Sequence, residues 1–320
     1  MHVLVFGAGA VGSVLGGLLA KAGHDVTLLG RAWHLDVIKQ QGLTVDGFWG
    51  ASHIRNLRLV TQLDAIERPS VFDWIFFCVK TTQTAAVAPQ LPRFLGPTTY
   101  FCAFQNGLGN YETLIQYLPA DRVALGRVIF GAELAPGHVR VTVCADHVLI
   151  GAPETRVPEA RIEALVAALQ ASGIPAHATS QILVALWGKV LYNCALNGLS
   201  MLFEVPYGKL LDMDVGRRLM RAVIDEAYQV AAASKIALEP ATAQAYQELL
   251  FTRLIPQTAA HHSSMLQDIA RGRPTEIDAM NGAIVRLAAC IGVATPANAL
   301  ITRLVHVKER FAGIVLQGTD

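Results

Sequence analysis

The sequence predicts an α/β domain built on a doubly wound parallel sheet, followed by an all-α domain. Three observations carry that prediction. Short β-branched and apolar runs alternate with helical spacing through the first half of the chain. Strand signals almost vanish after about residue 180, where long helical patterns begin. Of the 320 residues, 52% are hydrophobic and 16% charged, enough apolar side chain for two cores of ordinary size. The change of texture sets the expected domains at 1–178 and 179–320.

The elements follow in order. His2 to Phe6 is a buried-type strand ending at Gly7, and residues 12–22 carry small and apolar side chains at helical spacing until Gly23 stops them. Asp25 to Leu29 is the next strand. Strand, helix and strand make a βαβ unit, which implies parallel pairing and a right-handed crossover. Trp74 to Val79 is a further strand, 82–91 a helix, Thr98 to Ala103 a strand and 110–117 a helix. Ala135-Pro136-Gly137-His138 reads as a hairpin turn, predicting an antiparallel edge to the sheet. Pro158 to Ser172 is an amphipathic helix stopped by Gly173. Helices are then expected over 181–203, 214–234, 240–254, 258–271 and 275–291.

Charge and cysteine usage exclude several classes. A net charge of +1 leaves no footprint for nucleic acid or an anionic membrane. Cys78, Cys102, Cys144, Cys194 and Cys290 show no C-x-x-C spacing and sit in apolar runs, so reduced core thiols are expected. The chain opens directly into a strand without a basic leader, and no uncharged apolar run approaches the ~20 residues of a membrane span. A cytoplasmic protein is the expectation. His261 and His262 are adjacent, about 100° apart on a helix, and cannot share one ion as an i, i+4 pair does. No metal site is expected, and no G-x-S-x-G elbow occurs.

Gly7-Ala8-Gly9-Ala10-Val11-Gly12 matches G-x-G-x-x-G between a strand and a helix. The glycines serve the tight turn, the backbone's approach to a pyrophosphate, and close helix–strand packing. The pyrophosphate of a dinucleotide would rest on the helix N-terminus, where free amides and the dipole favour an anion. This context makes the first domain Rossmann-type. Forms that bind NAD usually end the second strand on an acid, whereas here Leu29 is followed by Gly30 and Arg31. A guanidinium there suits a 2′-phosphate, which favours NADP(H).

The helix over 181–203 carries Lys189, Asn193 and Asn197 at i, i+4 and i+8. They form one stripe, drifting about 40° per step, among apolar neighbours. Unpaired buried polar groups cost about 1–3 kcal/mol each, so the stripe needs partners. Spacing alone leaves two answers: a ligand, or a lysine reaching solvent beside asparagines bonded to backbone. A third cluster holds Ser263-Ser264-Met265 and Asp268, then Thr275-Glu276-Ile277-Asp278 after Gly272 and Pro274. Thr275 and Asp278 resemble a capping box, which would place Glu276 in the first turn of the last expected helix.

Taken with Cys78-Val79-Lys80-x-x-Gln83 and Gln105-Asn106-Gly107, these motifs resemble the ketopantoate reductase (2-dehydropantoate 2-reductase) family across nearly the whole chain. The resemblance implies an NADP-dependent oxidoreductase of pantothenate biosynthesis whose helical domain is 6-phosphogluconate-dehydrogenase-like. It implies that Lys189 is the general acid, with Glu276 orienting it. Asn106 would lie near nicotinamide and substrate, and Lys80 and Gln83 would line the cofactor site. Asn193, Asn197 and Ser264 would hydrogen-bond a small 2-keto acid.

These roles suit the chemistry. A 2-keto acid accepting hydride develops negative charge on oxygen, which a placed proton donor stabilises. The cleft between the domains is the expected site. The sequence departs from the family at Gly198 and over Glu204 to Gly208, and it assigns no role to Phe48-Trp49 or His261-His262. A paralogue acting on another 2-keto or 2-hydroxy acid, or an NADP(H) sensor without turnover, are the alternatives. The apolar run Ile284 to Val293 suits internal packing or a dimer face, and a homodimer is the expectation.

Overall fold

The structure is a computed structural model that describes residues 1–67 and 69–314. The chain divides into two compact units. The first comprises Met1–Gln105 and Asn110–Ile182, and the second comprises Asn106–Gly109 and the chain from Leu183 onward.

The first unit holds the strands. β1 (His2–Phe6), β2 (Asp25–Leu29), β3 (Leu43–Gly47), β4 (Ser52–Ile54) and β5 (Leu57–Val60) come first in the chain. β6 (Trp74–Phe77), β7 (Tyr100–Ala103), β8 (Val123–Arg127), β9 (Phe130–Ala135), β10 (His138–Cys144), β11 (Val148–Gly151) and β12 (Ala176–Ala178) follow. The main sheet has the order β12-β11-β8-β7-β6-β1-β2-β5. β1 lies inside it, pairing in parallel with both neighbours, so that Val5 stands opposite Leu28 and Phe76. Val3, Leu4 and Val5 are fully buried, as expected of a strand covered on both faces. The helices are α1 (Ala10–Lys21), α2 (Ala32–Gln41), α3 (Thr84–Val87), α4 (Asn110–Leu114) and α5 (Glu159–Ala171).

Two expectations change here, and one helix is added. The hairpin forms as expected, with Pro136-Gly137 between β9 and β10, but it belongs to a separate sheet of order β4-β3-β10-β9. The antiparallel strand of the main sheet is β11, paired with β8, and β12 closes that edge in parallel. The helix expected over 82–91 breaks into a 3₁₀ turn, α3 and a longer 3₁₀ stretch, Ala88–Phe94. Pro89 and Pro92 supply no amide hydrogen for an α ladder. α2 went unforeseen because few of its residues face inward, among them His34, Leu35 and Ile38.

His34 fastens the second sheet to α1. Its Nδ1 accepts the Gly137 amide at 3.1 Å, and its Nε2 lies 3.1 Å from Ser13 Oγ. An Nδ1 that accepts carries no proton, so the ring is neutral and donates from Nε2. Burial holds its pKa below the ordinary histidine value.

The second unit is helical: α6 (Ile182–Phe203), α7 (Tyr207–Leu211), α8 (Asp214–Ala233), α9 (Ala243–Leu249), α10 (Ile255–Gln257), α11 (Ser264–Ala270), α12 (Asn281–Ile291) and α13 (Pro296–Phe311). α6 is long and apolar enough to cross a bilayer by length and composition, with a mean hydropathy of 1.3. Its Val190, Leu191, Cys194, Ala195, Leu196 and Leu199 are instead packed into the core with Met220, Val223 and Ala227 of α8 and with Ile284, Ile301 and Val305. The pattern expected over 240–254 is interrupted by a π turn at Leu250–Leu254. α13, unforeseen, caps its start remotely: the buried Glu226 of α8 accepts the amides of Ala297 and Asn298 at 2.7 and 2.9 Å.

Candidate active site

The glycine turn is shaped by lack of room. Gly7 has φ +109°, and a Cβ there would meet the Val79 nitrogen at 2.7 Å. A Cβ on Gly12 would meet the Gly7 carbonyl oxygen at 2.3 Å and Val5 at 2.8 Å. Gly9, the N-cap of α1, is different: nothing lies within 4 Å of where its Cβ would be. Two glycines are demanded by packing, and the third leaves open space before a helix N-terminus. That arrangement fits a pyrophosphate resting against Ala10, Val11 and Gly12, the first residues of α1.

The end of β2 stands beside this turn. The Gly7 and Ala8 amides both donate to the Leu29 carbonyl, at 3.1 and 2.8 Å. Arg31 follows as the N-cap of α2, exposed, with no carboxylate on the strand end. Lys80 begins the 3₁₀ turn after β6, where its carbonyl accepts the Gln83 amide at 2.8 Å. A buried network unforeseen in the sequence fixes this region. Gln105 Nε2 donates to the Val79 carbonyl and to Thr84 Oγ1, and Thr84 donates to Asn110 Oδ1 at 3.1 Å.

The second unit holds the other group. Lys189 Nζ donates to Asn106 Oδ1 at 2.6 Å, and Asn106 Nδ2 donates to Glu276 Oε2 at 3.2 Å. A cation on one side and an anion on the other orient the amide without ambiguity. Asn106 reaches this position because Gly107, at φ +84°, lets the chain lie against Ala279, whose carbonyl accepts the Leu108 amide at 2.8 Å. Three residues distant in sequence thus form one relay. Such an arrangement is able to hold an ammonium donor in place for an oxygen gathering negative charge.

The rest of the stripe divides. Asn193, one turn beyond Lys189, is 9% exposed. Asn197 is hydrogen-bonded within the protein. Its Oδ1 accepts from Tyr207 Oη at 2.6 Å, and its Nδ2 points at Met280 Sδ at 3.6 Å, with the residue 2% exposed. Burial raises the Tyr207 phenol well above its usual range, so it remains a donor. Tyr207 packs edge-on to Tyr192 and against His261, which gives that histidine a packing partner. Ser264 is exposed in the first turn of α11, while its buried neighbour Ser263 caps the helix by accepting the Leu266 amide. Glu276 is not in an α-helix: it precedes a 3₁₀ turn, Ile277–Ala279, and α12 starts only at Asn281. Trp49 packs on Phe130, and Phe48 is exposed.

A strand-bounded glycine turn is the pattern of dinucleotide-binding folds, and a helix-borne ammonium is a group that can serve a carbonyl. Both features fit an NAD(P)-dependent oxidoreductase, the class to which this chain belongs. Comparison with known proteins carries this further: the chain belongs to the ketopantoate reductase family. Residues 3–154 match the family model described as ketopantoate reductase PanE/ApbA, and 181–309 match its C-terminal model. The chain is 37% identical to the 2-dehydropantoate 2-reductase of Aquifex aeolicus, covering 97% of this chain and 98% of that one. It is 31% identical to the enzyme of Halobacterium salinarum, covering 97% and 99%. Among solved structures, a PanE/ApbA family ketopantoate reductase from Ralstonia eutropha superposes with a TM-score of 0.85 at 32% identity, covering 98% of this chain and all of that one. D-mandelate dehydrogenase, solved with NADH and anilino(oxo)acetate, superposes with a TM-score of 0.82 at 27% identity over the same shares.

Proposed function

We propose that the chain reduces 2-dehydropantoate (ketopantoate) to pantoate with NADPH, a cytoplasmic step of pantothenate and coenzyme A synthesis. The observation that carries the reading is the relay from Lys189 through Asn106 to Glu276. NADPH supplies hydride to the carbonyl carbon when bound. Lys189 gives the carbonyl oxygen its proton as negative charge gathers there, and solvent restores it. Glu276 acts through Asn106 to hold the ammonium in place, and Asn193 and Ser264 take part in binding the acid. In the first unit, Gly7 to Gly12 receive the pyrophosphate, Arg31 the 2′-phosphate, and Lys80 and Gln83 line the site. The names of the Aquifex and Halobacterium relatives support the choice of substrate.

A second reading is reduction of a bulkier 2-keto acid. It is favoured by the likeness to D-mandelate dehydrogenase and by Asn197, whose amide is taken up by Tyr207 and Met280. One assay separates the readings: oxidation of NADPH or NADH with ketopantoate or other 2-keto acids, for wild type and Lys189→Ala. Ketopantoate with NADPH is expected to give the highest kcat/KM, and Lys189→Ala to lose about 10²–10⁴-fold in kcat. Faster turnover of an aryl 2-keto acid would replace the substrate assignment. An active Lys189→Ala would remove the proposed acid.

A further inference from the structure

Glu276 lies on a segment that regular secondary structure does not hold. It has φ −101° and ψ 26° ahead of a single 3₁₀ turn, and Met280 behind that turn has φ −111° and ψ −103°. No α-helical ladder fixes the four residues Thr275 to Asp278, so their side chains and amides must find partners elsewhere. The Ile277 amide finds Thr275 Oγ1 at 3.4 Å, and two residues of α13 hold the ends of the segment. The Thr275 amide donates to Glu309 Oε1 at 2.7 Å, and the other oxygen of Glu309 lies 2.8 Å from His306 Nδ1. The opposite ring nitrogen, Nε2, lies 3.1 Å from Asp278 Oδ1. The same segment is tied to α12, where Arg286 Nη2 donates to the Asp278 carbonyl at 2.7 Å. Glu276 is therefore held between an anchor one residue before it and another two residues after it. The Glu309 side chain is 1% exposed, so its half of the clamp is shielded from competing water, whereas the Asp278 side chain, at 54%, meets solvent.

We propose that His306 and Glu309 are positioning residues, clamping segment 275–278 from α13 so that the Glu276 carboxylate meets the Asn106 amide. The proposal rests on the role given to Glu276 above. Both ring nitrogens of His306 face carboxylate oxygens, so the ring is an imidazolium donating from each. The bond to Asp278 and then that to Glu309 push its pKa up to about 9, which keeps it charged at neutral pH.

Two measurements on the full-length protein test the clamp. The first is hydrogen exchange, which needs no substrate. In His306→Ala, exchange over residues 274–280 should accelerate while that of the first unit's sheet is unchanged. The second is steady-state kinetics on whichever 2-keto acid the wild type reduces fastest. His306→Ala and Glu309→Ala should each lower kcat about 10–100-fold while the KM for the dinucleotide stays within about twofold. Glu309→Gln, which keeps an oxygen for the Thr275 amide, should recover most of that loss. Unchanged exchange at 274–280 overturns the proposal, as does faster exchange with an unchanged kcat. A general loss of folding in the alanine variants shifts the decision to Glu309→Gln, whose kcat must then stay near wild type. A wild type that prefers another acid over ketopantoate overturns the substrate assignment, and the clamp is still judged on the preferred acid.

Discussion

The glycine turn of the first unit and the lysine relay of the second are built by opposite means. The turn works through missing side chains: Gly7 and Gly12 leave no room for a Cβ, and Gly9 leaves space open before α1. The relay works through side chains brought together from residues 106, 189 and 276. A site made of backbone is fixed by the fold around it and read locally in the sequence. A site made of side chains depends on every bond that orients them, many from residues far along the chain.

This contrast can be broken or sharpened by experiment. After Lys189→Ala, the largest effect is expected at Asn106→Ala, which removes the amide between Lys189 and Glu276. We expect kcat to fall about 10²-fold with little change in dinucleotide affinity, measured by steady-state kinetics and fluorescence titration. A loss confined to dinucleotide affinity would move Asn106 to the cofactor's side of the comparison.

Next come the glycines. Gly12→Ala should destabilise the folded protein by about 1–3 kcal/mol, because its Cβ would meet the Gly7 carbonyl and Val5. Gly9→Ala should leave the thermal midpoint unchanged and weaken dinucleotide binding. Calorimetry and binding on both variants decide this, and equal stability losses would show that Gly9 too is a packing glycine.

The smallest effect concerns pH. His34 is neutral in the fold with its pKa lowered by burial, so its contribution is intact above the unfolded value near 6.5. Below that pH the unfolded chain takes up the proton more readily, and stability is lost. His306 has the opposite sign: its raised pKa contributes fully below about 6.5, and that contribution fades as pH rises through about 9. Thermal scans from pH 5 to 10 should show a midpoint that falls by a few degrees at each end. The acid slope should flatten in His34→Asn and the alkaline slope in His306→Asn. A slope unaltered by its substitution would assign that limit to other groups.

The fold was legible wherever a residue's neighbours in sequence are also its neighbours in space. The βαβ start, the glycine turn and the stripe on α6 are all of this kind, carried by periods of 2 and 3.6. What stayed hidden depended on distant contacts. The hairpin at Pro136-Gly137 was readable, but its placement in a second sheet depends on β10 pairing with β3, some ninety residues earlier. The same limit hid the partners of Asn197. Its period marked it as part of the stripe, but nothing local shows that Tyr207 reaches back to its amide. Glu276 looked like a first-turn carboxylate because Thr275 and Asp278 have capping-box spacing. In the fold the Thr275 hydroxyl takes the Ile277 amide, α13 binds the Thr275 amide and the Asp278 carboxylate, and the helix starts later.

The short segment Asn106–Gly109 has a consequence for how such a protein can be divided. It lies in the middle of the first unit's sequence but is counted with the second. A gene fragment that began at Leu183 would encode the lysine and the glutamate without the amide that connects them. Any excised piece that kept the relay would have to carry these four residues as well.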